Sequence, residues 1–189
     1  MNERNITLTQ AVRRIAWGYL LLHLNLTLGT FNLLPDWGGY LLLLSTLAAL
    51  APSALLLRPL GVLLAVWSGA VWVLALFGVT QLPEFLSLIA AAAALYFHFQ
   101  FLTELSAVSA PRAPEQARQL LRLRTARTVL VTLCALVPLL PLPQQPAEAV
   151  ACVLVAANIA VAVWLCAVLF LLSRRFKEGG EEIQPLQNG

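Results

Sequence analysis

The sequence predicts an all-α fold: a polytopic transmembrane helical bundle of six spans, paired as three hairpins, with both termini cytoplasmic. Three observations predict it. The 189 residues are 60% hydrophobic and 11% charged, with a mean hydropathy of +0.81, whereas a soluble domain carries about 25% charged and about 45–50% apolar residues. The few charges are segregated, leaving apolar tracts close to the roughly 20 residues that a membrane-spanning helix needs. Finally, Lys and Arg fall on alternate connections only. A transmembrane β-barrel is argued against, because the tracts are too long and lack sustained period-two alternation.

The spans follow from Pro, Gly and charge placement. The first covers about 15–34, behind Arg4, Arg13 and Arg14; no clean cleavage site follows it, so it reads as a retained span rather than a signal peptide. The second covers about 37–51, after Pro35-Asp36, and ends at Pro52. The third covers about 60–79, beyond the Pro52–Pro59 connector, and the fourth about 85–108, between Pro83 and the Pro111–Pro114 pair. The fifth covers about 128–142 and is short, with Pro138 near its end; thinning of the bilayer or burial among neighbours accommodates such a span. The sixth covers about 147–172, after the Pro141–Pro146 cluster. Residues 1–176 thus form a single transmembrane domain, and 177–189 (KEGGEEIQPLQNG) a polar, disordered cytoplasmic tail without a lipidation or retention motif.

This threading places all 12 basic residues on the inner side. They are Arg4, Arg13 and Arg14; Arg58; Arg112, Arg118, Arg122, Arg124 and Arg127; and Arg174, Arg175 and Lys177. The outer turns around Pro35, Pro83 and Pro143 hold none. Removing the fifth span, or fusing the first two, would move some of them outside. The outer turns share a pattern, Leu34-Pro35-Asp36, Leu82-Pro83-Glu84 and Leu142-Pro143-Gln144, which fits a hairpin repeat; it fits equally the preference for Pro and an acid in the first turn of a helix. Asp36, Trp37, Tyr40 and Glu84 are the outer-turn candidates, with Trp37 and Tyr40 suited to the headgroup belt.

The net charge of +3 is explained by this loop asymmetry and by anionic headgroups, not by nucleic acid, for which no aromatic-interleaved basic patch exists. The basic inner loop, 109–127, contains the helix-prone run EQARQLLRLRTAR. Arg118 and Arg122 lie one turn apart on one face, while Arg124 and Arg127 point elsewhere. The four arginines are candidates for anionic lipid at the inner face, or for a docking partner. Little mass lies outside the bilayer, which is compatible with a homo-oligomer or a larger membrane complex. Cys134, Cys152 and Cys166 are odd in number, lack CxxC spacing and read as small apolar residues.

Polar groups at membrane depth are costly, so they are candidates for function as well as for interhelical hydrogen bonds. On the first span these are His23, Asn25 and Thr27, with His23 and Thr27 one turn apart on a helix; Asn25 and Asn32, seven apart, share another face. On the fourth, Tyr96, Gln100 and Glu104 form an i, i+4, i+8 stripe beside His98. Asn158 stands alone in the sixth. His23 and His98 each lie about eight residues from the inner end of their helix, roughly 12 Å at about 1.5 Å per residue. Equal depth is what a bis-histidine haem or a metal bridge requires, and a path through His23, His98 and Glu104 would suit a proton or solute. No cofactor or metal is otherwise indicated, no catalytic residue is assigned, and GxSxG, HExxH, Walker A and GxGxxG are absent.

The segment Gly18–Leu44, GYLLLHLNLTLGTFNLLPDWGGYLLLL, carries Asn32, Leu34, Pro35, Asp36, Gly39 and Tyr40. It resembles an uncharacterised group of small bacterial integral membrane proteins with an N-x-L-P-D-x-x-G-Y signature between their first two spans. The resemblance covers about the first quarter of the chain. It implies a bacterial cytoplasmic (inner) membrane location and no activity, cofactor or substrate. The functions expected are passage of a small solute or ion, then a non-catalytic subunit or assembly factor docking through the basic loop, then a haem redox protein using His23 and His98.

Overall fold

The computed structural model describes residues 8–23, 27–28, 31–32, 36–50, 56–79, 83–137 and 144–181. The fold is all-α. Its helices are α1 (Leu8–His23), α2 (Asp36–Leu44), α3 (Leu47–Leu50), α4 (Leu57–Leu76), α5 (Glu84–Ser109), α6 (Pro114–Leu136) and α7 (Gln144–Glu181). Two-residue strands β1 (Thr27–Leu28) and β2 (Phe31–Asn32) pair antiparallel, Thr27 opposite Asn32. By length and composition, Leu57–Leu76, Phe85–Ser109 and Glu148–Glu178 are long and apolar enough to cross a membrane; Asp36–Leu50 is a shorter apolar segment.

Several elements differ from the expected spans. The first helix begins at Leu8 and ends at His23, not at 34. The polar/apolar alternation Leu24-Asn25-Leu26-Thr27-Leu28, followed by Gly29, is a strand signal that the long-tract reading passed over. Thr27 and Asn32 therefore face each other across a ladder, and Thr27 shares no helix with His23. The second segment breaks at Ser45-Thr46. There the hydroxyls bond back to the carbonyls of Leu42 (2.7 Å) and Leu43 (2.6 Å), competing with helix continuation. Ser109 ends α5, and residues 110–113 connect it to α6. The run 115–127, expected to be helical within the inner loop, is helical and is continuous with 128–136 of the fifth span in one helix, α6, opened by Pro114 in its first turn with Glu115 beside it. α7 continues through Glu181, so the tail expected to be disordered from 177 starts as helix; the exposed pair Arg175–Glu178 at 3.8 Å supports that last stretch. Span four matches α5 to within a residue at each end.

Each helix packs on its neighbours in the chain, α1 on α2, α2 on α4, α4 on α5, α5 on α6 and α6 on α7, and α7 returns to α1 to close the circuit. The core runs through Ile15, Tyr19, Leu43, Leu47, Leu57, Phe97, Leu165 and Phe176 and includes Phe101, Leu102, Leu105 and Leu120 at the end marked by the α5–α6 turn. Hydrogen bonds tie that end together: Ser106 donates to the Ala117 carbonyl (2.9 Å), and Thr9 to the Phe176 carbonyl (3.3 Å). Exposed apolar residues occur along the helices: Leu56, Val62, Leu63, Val66, Val73, Leu76 and Phe77 in and around α4, Phe85, Leu88 and Ile89 of α5, and Val153, Ile159, Val163, Trp164 and Leu171 of α7. A belt of that composition is stable against hydrocarbon and unfavourable against water.

Glycines set the closest helix contact. A Cβ on Gly39 would stand 2.5 Å from Leu22 Cγ and 2.9 Å from the Gly18 carbonyl oxygen, so α1 and α2 meet backbone to backbone. This explains why glycine stands at position 39.

Candidate functional site

Two cavities carry charged and polar residues among mostly apolar linings. The first, about 210 Å³, is lined among others by Asp36, Tyr40, His98, Phe99, Arg124 and Arg127. The second, about 400 Å³, is lined among others by His23, Arg127, Asn158, Val163 and Cys166. Leu22 and Arg127 line both.

The local sequence explains how these side chains reach one place. Asp36 and Tyr40, one turn apart at the start of α2, share the face turned to the first cavity, with exposed Asp36 at its rim. On α6, Arg124, Arg127, Thr128 and Val131 follow the i, i+3, i+4, i+7 spacing of one helix face, and all four line that cavity. Arg118 and Arg122 lie on a different face and are exposed.

Tyr19 organises the imidazoles. Its carbonyl accepts a hydrogen bond from His23 Nδ1 at 2.6 Å, and its hydroxyl stands 3.2 Å from His98 Nδ1. Its ring stacks on His23, with centroids 5.9 Å apart, and lies 5.4 Å from the ring of His98. His98 also packs against Tyr40 and Phe97. The bond at Nδ1 fixes the tautomer of neutral His23, so its Nε2 carries the lone pair. That Nε2 is buried and meets no hydrogen-bond partner among the described residues.

Arg124 is held against α5. Its Nη1 donates to Thr103 Oγ1 at 2.6 Å, and its guanidinium carbon lies 4.0 Å from the centroid of Phe99, while its Nε is buried without a partner among the described residues. Arg127 is less satisfied: its Nη1 is buried and has no hydrogen-bond partner among the described residues.

No protein-family model matches the chain, and no curated protein or solved structure is detectably similar to it. The signature resemblance around Asp36, Gly39 and Tyr40 therefore rests on those residues themselves.

Of the residues singled out from sequence, His23, His98, Asn158, Asp36, Tyr40, Arg124 and Arg127 line the two cavities. Others stand apart. Tyr96 is exposed, and Gln100 donates to Glu104 at 3.1 Å, so this stripe satisfies itself and lines neither cavity. Trp37 lines an apolar groove of about 410 Å³ with Leu41, Val66, Gly69 and Trp72. Glu84 is the first residue of α5, and Asn25 lies outside the described residues. Among the described residues, no group of three or more His, Cys, Asp and Glu could hold a metal ion. Sequence reading did not select Tyr19, whose spacing of four from His23 was the available signal.

Proposed function

We propose that the chain is a bacterial inner-membrane protein with six spans and both termini cytoplasmic, whose cavities around Arg127 form part of a passage for a small solute or ion. One observation carries the reading: Arg127 lines both cavities, so one charged side chain borders open space on two sides within an apolar bundle. Charged groups in such surroundings are retained where they face a water-filled cavity or a substrate path. The six-span threading is supported by the asymmetry of the basic residues and by the three long apolar helices.

Two measurements test this. Reporter fusions to either terminus should be active only as cytoplasmic fusions; an external N-terminus would contradict the threading. In proteoliposomes loaded with a panel of small anions, cations and neutral solutes, the protein should pass at least one class, and Arg127→Gln and His23→Ala should each remove that flux. Glu104→Gln, which touches neither cavity, should leave it intact.

A docking subunit is the second reading, favoured by the exposure of Arg118 and Arg122 one turn apart on α6. This face also suits anionic lipid at the inner surface. A membrane pull-down whose partner is lost in the Arg118→Glu/Arg122→Glu variant, with flux absent in the wild type, would favour it.

A further inference from the structure

The unsatisfied atoms around the cavities share one chemistry. Arg127 Nη1 and Arg124 Nε are cationic donors, buried and without partners among the described residues. His23 Nε2 is buried and unpartnered beside the second cavity, with Nδ1 already committed to the Tyr19 carbonyl. Asp36 is the single carboxylate lining the first cavity, and no carboxylate lines the second. Among the described residues, neither arginine has an ion pair. Buried polar groups in native proteins are partnered with few exceptions, and an unpartnered charged donor is the costliest exception.

We infer that Arg127 and His23 bind a phosphate-type oxyanion in the second cavity, which both line and no carboxylate lines. A guanidinium presents N–H groups in a rigid fork that fits two phosphate oxygens, and it cannot escape burial by losing its proton. In the second cavity Arg127 is the one charged residue and no carboxylate offsets it, which suits a ligand with one negative charge. His23 Nε2 accepts from a protonated phosphate oxygen. Arg124, fastened to Thr103 and Phe99, belongs to the first cavity, and Arg127, without such a tether, is the group left to close on the ligand. Phosphate itself, a small phosphorylated solute and a phospholipid headgroup share this chemistry.

The inference shares Arg127 with the passage reading and rests on it only for the view that the cavities receive a ligand. The test uses the full chain, delipidated in a phosphate-free maltoside. Thermal unfolding is followed with inorganic phosphate, with chloride at matched ionic strength, and with short-chain phosphatidylglycerol. Inorganic phosphate, or the lipid, should raise the melting temperature above the chloride control. Stabilisation by phosphate identifies a free anion, and stabilisation by the lipid alone identifies a headgroup. Arg127→Gln should weaken the apparent affinity about tenfold or more, His23→Gln less, and the surface pair Arg118→Gln/Arg122→Gln not at all. If Arg127→Gln does not fold, the wild type and His23→Gln still decide. A wild type stabilised by neither ligand overturns the site, as does stabilisation undiminished in Arg127→Gln or His23→Gln. Binding without flux would sink the passage and leave the site; flux without binding would do the reverse.

Discussion

The guanidinium carbon of Arg124 lies 4.0 Å from the centre of the Phe99 ring, which pins a charged residue of α6 to α5 at mid-helix. The contact explains how a cation is tolerated at this depth: the ring face supplies negative potential and Thr103 an acceptor. Phe99→Leu keeps the apolar volume and removes the ring. It should lower stability by about 1 kcal/mol, read as a lower melting temperature in detergent. An unchanged melting temperature would show that Thr103 alone holds the arginine.

Gly39 and Gly38 make a matched pair. Alanine at Gly39 drives a Cβ into Leu22 and the Gly18 carbonyl, whereas nothing lies within 4 Å of a Cβ at Gly38. Gly39→Ala should cost about 1–3 kcal/mol, the range for overpacking. Gly38→Ala should be neutral or slightly stabilising, since Ala favours helix over Gly. Equal effects at both positions would remove the close α1–α2 approach.

Tyr19→Phe isolates one hydroxyl. The ring is fully buried and keeps its contacts with His23, His98 and Phe101, while the hydroxyl facing His98 Nδ1 is lost. Stability should fall by about 1 kcal/mol. The imidazole resonances of His98 should shift more than those of His23, whose bond is to the Tyr19 carbonyl and survives. Equal shifts at both rings would contradict this division of roles.

These residues also show what the sequence made legible. The all-α class and the position of α5 followed from hydropathy and from Pro83, because Pro and apolar length act locally. The hairpin at Thr27–Asn32 escaped because its alternation lies inside a tract whose mean hydropathy already suggested helix. The union of the basic loop with the fifth span escaped for the opposite reason: 115–127 read as helix-prone, but its charge set it outside the bilayer and apart from the fifth span, although nothing between the two breaks a helix. The cavity was half legible. His23, His98 and Asn158 stood out as polar groups at depth, and Arg124 and Arg127 as arginines off the Arg118–Arg122 face. That these two arginines turn toward the same space as the histidines depends on the α5–α6 and α6–α7 packing, which no local pattern encodes.

The central claim is that polar, ligand-accessible space surrounds Arg127 inside an apolar bundle. It is tested most directly by thiol accessibility. Thr128 lines the first cavity, and its neighbour Val129 belongs to the exposed apolar surface. With Cys134, Cys152 and Cys166 replaced by alanine, Thr128→Cys and Val129→Cys are each exposed, in membrane vesicles, to a charged, membrane-impermeant thiosulfonate. The account predicts that Thr128→Cys reacts and that Val129→Cys, covered by lipid, stays unmodified. An inert Thr128→Cys beside a reactive Val129→Cys would contradict it.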